Sequence, residues 1–465
     1  SFTSDISGYI ENDSLLFAQI DGNVEHLVVK DYRYKNIVFN GFTNARQGNL
    51  LVELNDENGS LNVIGDYERQ GVKSFYSVTA KVDSLRTGRT NLTPNYPEGV
   101  LSFASRLTVS EQTQDAMRAN LLVDGLTFTG ATYDMDIKRI ILDLNQDGQK
   151  KDIVLESDYI NGLVNGEFSY TDVWPSLFNQ ALGSVGILGS AKTIARDVNL
   201  NMDVRYSDIT PIMQFVLDSL TIGGQGRVTC QIDSKSNMIA LMAKSNQIKY
   251  KGYEVEDVQV DALSQSKSTM IDVKSSLINI PMLGVVVDAG INNKIENNCI
   301  ESTLSWYKNI EGRPKTSINL NTCLAKDYYG YLANINVKPS QMVFESDAWN
   351  IQESLVSIST HSLSVNEFKI SSEQKYLSVD GEIDTKAYDD TLYLTINDFV
   401  VEDIIKTDPS KDRYTLAGDL SAKAKITDFE DSYIVDCTAD IQRFFVNGDN
   451  LERLDIATNW SSERN

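Results

Sequence analysis

Two histidines, four cysteines and 65 acidic residues are the side chains with the most chemistry to offer in this 465-residue chain. His26 and His361 are far apart in sequence and in no H-x-x-x-H spacing. A Cys/His zinc site therefore has little to work with, and triad or acid–base catalysis would rest on one lone imidazole. Both lie in strand-like runs, VEHLVV and STHSLSV, and read as surface or edge residues. Cys230, Cys299, Cys323 and Cys437 form no C-x-x-C pair, so iron–sulfur and dithiol redox motifs lose support. One pair has a geometry of its own. KIENNCIESTLSWY (294–307) and KTSINLNTCLA (315–325) flank the turn-rich NIEGRP. A hairpin centred on Glu311 sets Cys299 opposite Cys323, Leu304 opposite Ile318 and Ser302 opposite Leu320. That register admits a cross-strand disulfide and, equally, two free thiols.

Other motifs weigh less. Asp143-Leu-Asn145-Gln-Asp147-Gly148 resembles the start of a calcium loop, but Val154 stands where a bidentate carboxylate belongs. RIILDL before it and DIVLES after it make a hairpin turn the better reading. IGGQGR (222–227) lacks the Lys-Ser/Thr of a phosphate cradle, and its glycines read as a helix stop. Acidic pairs such as Glu256-Asp257 and Asp389-Asp390 suit a solvated strand face better than a glycosidase. The 21 tyrosines and 4 tryptophans suggest a sugar platform, yet aromatics are also preferred strand residues. No catalytic constellation, metal site or cofactor site emerges, and the chain does not read as an enzyme.

The elements that carry these residues are strands. With 42 basic against 65 acidic residues the net charge is −23, which argues against nucleic acid and against anionic headgroups as an electrostatic partner. Apolar residues are 41% of the chain, enough for a core. No apolar run is long enough for a transmembrane helix. The N-terminus lacks signal-peptide character and an initiator Met, and the chain reads as an excised piece of a longer protein.

Short alternating runs separated by turns dominate, as antiparallel strands require. NLLVEL (49–54) and SLNVIG (60–65) flank an Asn-Gly turn signal. RIILDL and DIVLES, and AKAKITDF and SYIVDCTADI, pair the same way. One pattern repeats: apolar, two polar, apolar, any, apolar. It occurs as YKNIVF (34–39), IKRIIL (137–142), VEDVQV (255–260), VNEFKI (365–370) and LERLDI (451–456). The spacing near 100 residues fits a repeated module of several strands. Two adjacent polar residues break period-2 alternation, so a bulge or bend is expected there. Two short amphipathic helices interrupt the strands. One covers 172–186, with Asp172 as cap and Pro175 in its first turn. The other covers 210–224, with Thr210 as N-cap, Pro211 at N1 and Gly223-Gly224 as the stop. The expected division is strand repeats over 1–170, a helical insertion with a linking strand over 171–224, and strand repeats over 225–465.

Four stretches resemble the periplasmic repeats of the TamB/AsmA-like translocation and assembly module family, in its Bacteroidetes-type branch. VKDYRYKNIVFNGFTNARQGNLLVELNDENGSLNVIGDYE (29–68) looks like its module opening. KDIVLESDYINGLVNGEFSY (151–170) looks like the following element. DAWNIQESLVSISTHSLSVNEFKISSEQKYLSVDGEI (347–383) is similar to a W-x-I…V-x-x-F…S-V-x-G run. YTLAGDLSAKAKITDFEDSYIVDCTADIQRFFVNGDNLERLDIATNW (414–460) is similar to a G-x-L-x-A…V-N-G…L-x-I-x-x-x-W element. The family's membrane anchor and partner-binding C-terminal domain are not in the chain. The resemblance implies a mostly β, elongated antiparallel sheet, U-shaped like a taco, with an apolar concave groove. It implies phospholipid transfer between the inner and outer membranes of a Gram-negative periplasm. The inner membrane would be reached through the missing anchor, and an outer-membrane barrel protein through the missing C-terminal part.

On this reading the groove candidates are Ile37, Phe39, Ile140, Leu142, Val258, Val260, Phe368, Ile370, Leu454 and Ile456. Two alternatives stand beside it: a scaffold that assists outer-membrane protein assembly by strand pairing, and a surface adhesin or glycan-binding β-array.

Overall fold

The computed structural model describes residues 2–463 except 12–13, 114, 132–133, 189–195, 218, 282–283, 308–314, 327, 329, 345–346, 385–389, 406–413 and 430–431. The protein is mostly β, and its strands join in one long antiparallel sheet. Two compact units divide the chain: Ser1–Leu177 with Lys192–Gln259, and Phe178–Ala191 with Val260–Asn465. Among the described residues no helix is long and apolar enough to cross a membrane.

In the first unit each strand pairs with its sequence neighbours, the topology that two-residue turns permit. Gln47–Asp56 and Gly59–Gln70 meet with Leu54 opposite Leu61, around Glu57-Asn58. Asp134–Asp147 and Lys150–Ser157 meet around Gly148-Gln149, so the calcium-like motif is strand and hairpin turn. In the second unit Cys299–Tyr307 pairs with Thr316–Lys326 in the expected register: Cys299 opposite Cys323, Ser302 opposite Leu320, Leu304 opposite Ile318. The turn itself lies outside the described residues. The hairpin of Tyr331–Phe344 with Asp347–Ser359 is interrupted at Pro339 and at Gln352-Glu353. Proline offers no ladder donor, so pairing lapses there and resumes in the same register.

In one copy the repeated pattern is a bulge. In VNEFKI, Val365 faces Gly381 while Phe368 faces Val379, a one-residue shift. Glu367 is left-handed there (φ 52°), and its N–H donates to Asp380 Oδ1 at 2.9 Å. Without the shift, residues three apart would point to opposite faces; with it, Val365 and Phe368 share one. Asn36 and Asp257, at the same third position of their copies, are also left-handed, and in LERLDI the left-handed residue is the second, Glu452. IKRIIL departs: its left-handed residue is Gly125 on the neighbouring strand, beside a shift between Ser102 and Ala104. The device also occurs outside the repeated pattern. Ser84 in VDSL and Asp398 in INDF carry the same φ and the same shift, with N–H bonds to Ser102 Oγ and Ser421 Oγ. Left-handed geometry costs a side chain with a Cβ about 1–2 kcal/mol. Glu367 already bears that cost, and a β-branched side chain is a worse outlier at positive φ, so Glu367→Val is expected to lower stability by about 1 kcal/mol and Glu367→Gly to hold or raise it within about 1 kcal/mol. Equal denaturation midpoints for the two variants would refute the bulge.

The helices correct the expectation in detail. The first runs Tyr170–Gly183, followed by a 3-10 turn at Gly186–Leu188. Asp172 is buried in its first turn rather than preceding it. The second is only Thr210–Val216; Ile209 holds the cap position without a side-chain cap bond. Residues Leu220–Asp233 are strand, and Gly223-Gly224 sit in it at a bulge where Gly224 takes φ +72°. Pairing with Met238–Tyr250 outweighed the local helical pattern. A third, four-residue helix, Val401–Ile404, follows strand Leu392–Val400.

Three clusters gather much of the buried apolar surface. In the first unit Phe128, Met135 and Ile137 are buried with Tyr96 and Ile212 packed on them; Tyr96 stacks on Phe215 and its hydroxyl donates to Gln214 O. Phe168, Val198, Leu200, Ile232 and Ile239 are buried with Val173 and Leu177 of the first helix against them. In the second unit Val401, Ile441 and Phe444 form a small cluster.

Candidate functional site

The feature that asks for a functional explanation is one face of the sheet. Cross-strand partners share a face, so successive registers trace rows perpendicular to the strands. In the first unit one row runs through Leu50, Val78, Leu107, Leu121, Leu142, Leu155, Val204 and Val228, with Gly65 and Gly162 between them. A second runs from Phe39 through Val52, Val63, Ala80, Ser105 and Val123 to Ile140. A third runs from Tyr67 through Tyr76, Val109, Ala119, Leu144, Ile153 and Val164 to Met202. Strands are about 4.8 Å apart, so the first row extends roughly 43 Å. Gly22 opposite Phe39 has a local reason: a Cβ there would lie 2.2 Å from the Phe39 ring, so only glycine lets that ring lie on the sheet.

These rows lie between the margins described above. The Ile137 end is packed by the segment containing Tyr96 and by helix Thr210–Val216; the Leu200 end is packed by the first helix. Between them the residues are half-buried or exposed, with Leu50 at 45%. The accessible surface agrees. The 51.9 kDa chain exposes 27775 Å², against about 21,000 Å² for two separate compact units of half this mass.

The second unit also has apolar rows. One passes Ile295, Ile300, Ile335, Val356, Val365, Leu392, Ile426, Val435 and Trp460, with Thr322 and Gly381 between them; Val365 and Leu392 in it are buried, and Trp460 is exposed. Phe368, Val379, Leu394, Ala424 and Cys437 form the next row, and Ile370, Leu377, Ile396, Ala422, Ala439 and Ile456 the one after.

The sequence-derived residues thus fall into groups. Phe39 with Ile140, and Ile370 with Ile456, share rows, and Leu142 and Phe368 lie in adjoining ones. Ile37 faces Leu54, next to the Phe39 row. Ile140 also touches the Phe128 cluster, and Leu454 packs on the Val401 cluster. Val258 and Val260 are half-buried on strand Tyr253–Gln265. Leu107, Leu121, Leu155, Leu377 and Leu394 were not singled out from the sequence. Their signal, plain alternation, is shared by every amphipathic strand.

The opposite face is polar. Asp143 accepts from Asn120 Nδ2 at 2.7 Å, and Asp203 receives Arg227 through Nε and Nη2 at 2.8 and 2.9 Å. The Arg227 guanidinium holds the Asp203 carboxyl below its ordinary range. A depression of about 780 Å³ opens on this face, lined by Asp66, Glu68, Phe75, Arg118 and Asp143 among others. Asp66 is engaged by Asn49 as Asp143 is by Asn120, and no group of metal-ligating side chains occurs among the described residues. The Cys299–Cys323 pair is disulfide-bonded, Cα–Cα 4.0 Å, in a row with Asn334, Ser357 and Ser364 on the polar face. Cys230 and Cys437 are free; burial pushes the Cys230 thiol up, away from thiolate reactivity. His361 lies in a turn rather than a strand, its Nε2 3.7 Å from Asp384 Oδ2. Lys151 is buried at the rim of the apolar face. It donates to Phe168 O and Gln149 O, with the Phe168 and Tyr170 rings 5.1 Å away, and burial holds its ammonium below the usual lysine range.

Chemically, such a face offers apolar contact and few polar groups. Comparison with known proteins finds no matching family model, no matching curated protein and no matching solved structure.

Proposed function

We propose that the apolar face is a surface for phospholipid acyl chains, and that the protein is a segment of a bridge-like lipid carrier. The supporting observation is the apolar rows of the first unit, half-buried or exposed between packed margins, set against an opposite face that carries hydrogen-bonded polar side chains. Burying a methylene is worth about 0.8 kcal/mol, so two sixteen-carbon chains carry roughly 25 kcal/mol when they leave a bilayer. A small polar site cannot offset that, but a continuous apolar strip can. The −23 charge suits passage, because nothing locks an anionic headgroup in place. The disulfide suits an oxidising compartment such as a periplasm, the setting that the sequence resemblance implies. In the proposal the rows line a groove along which lipids slide between inner and outer membrane.

The test is organic extraction of the purified chain followed by mass spectrometry. Stoichiometric phospholipid is expected. A soluble, folded and lipid-free protein would sink the proposal.

A further inference from the structure

The first helix buries two kinds of side chain. Val173 and Leu177 pack on the Phe168 cluster, and beside them Ser176 is fully buried, Gln180 and Asp172 are nearly so, and Ser184 lies buried just beyond the helix end. Ser184 Oγ bonds Thr269 Oγ1, which bonds Ser264 Oγ, which in turn donates to Gln180 O. Ser176 Oγ and both amide atoms of Gln180 are buried with no hydrogen-bond partner. The outward side is aromatic. Tyr170, Trp174 and Phe178, four residues apart and so on one helix face, are 55%, 76% and 55% exposed. A soluble surface helix keeps residues of this class on its packed side.

We infer that this aromatic stripe inserts into the surface of a zwitterionic phospholipid bilayer. Three observations select that occupant. The helix carries no Lys or Arg, its one acid, Asp172, is buried, and the chain is strongly acidic, so neither an anionic surface nor a charged protein patch is matched. Aromatic side chains present about 150–250 Å² each, so the three expose roughly 400 Å². That is about half of the ~800 Å² per partner of a stable protein interface, while Trp and Tyr are the residues that favour a membrane–water interface. The same helix packs Val173 and Leu177 on the cluster that ends the apolar rows, so insertion sets the margin of that face at the bilayer. This inference rests on the lipid-carrying proposal for its consequence, loading at that margin, but its binding step is tested separately.

The test floats the full chain with phosphatidylcholine vesicles and extracts lipid from the same preparations. Wild type is expected to float. The Trp174→Ser/Phe178→Ser double variant should lose vesicle binding by roughly tenfold or more, with its circular dichroism unchanged. Val72→Ser, at a 78% exposed position outside the helix, should float like wild type. The inference is overturned if wild type does not float or if the double variant floats equally well. It is also overturned if the double variant only dissociates an oligomer, which would assign the stripe to a second copy. A wild type that floats through the stripe yet yields no bound lipid would overturn the carrier proposal and leave this one standing.

Discussion

Leu142→Arg and Phe368→Arg are each expected to remove co-purified phospholipid, about tenfold or more, while Asp143→Arg and Lys369→Glu retain it. The pairs are adjacent in sequence and differ only in face. Leu142 lies between Leu121 and Leu155, and Phe368 beside Val379, in uncovered apolar rows; Asp143 and Lys369 project to the polar side. A guanidinium in a strip of acyl chains must be desolvated without a partner, which costs several kcal/mol and breaks the path at that point. Stability separates this from a packing effect. An uncovered position tolerates the charge within about 1 kcal/mol, so the thermal midpoint should barely move. If either arginine variant unfolds the protein, that position is closed core, and the rows are not available to lipid.

Loss of the Cys299–Cys323 bond is expected to have the largest effect on stability. It closes a span of 24 residues, for which chain entropy gives about 3.5 kcal/mol. In a unit of this size that corresponds to roughly 10 °C in midpoint. Cys299→Ser should show it, reductant should reproduce it, and Cys437→Ser, at a free thiol, should not. Because the bond is on the polar face, the less stable variant should still carry lipid. An unchanged midpoint, or four titratable thiols in the non-reduced protein, would refute the bond.

The helix boundaries show where local pattern stops deciding. Over 210–224 the apolar spacing and the Gly-Gly pair favour one helix, yet only Thr210–Val216 is helical. From Leu220 on, the chain gains a full ladder with Met238–Tyr250, and a row of interstrand bonds outweighs a few tenths of a kcal/mol of propensity per residue. The outward aromatic side of the first helix was equally illegible. Its apolar residues occur at helical spacing, but which side meets the sheet depends on strands far along the chain.

What the sequence determined by itself is local. Alternation specifies strands, turn residues specify hairpins, and two polar residues between apolar ones specify a break in the alternation, which VNEFKI meets with a bulge. The Cys299–Cys323 register followed because a short hairpin leaves few ways to pair. What only the tertiary structure decided is lateral: that Phe39 and Ile140, or Ile370 and Ile456, stand in one row, and that the row stays uncovered while its margins are packed. The physical reason is that a strand's pattern states which side is apolar and nothing about what lies against it. An open face and a closed sandwich require the same alternation, and they differ only in whether another layer of the chain comes to rest there.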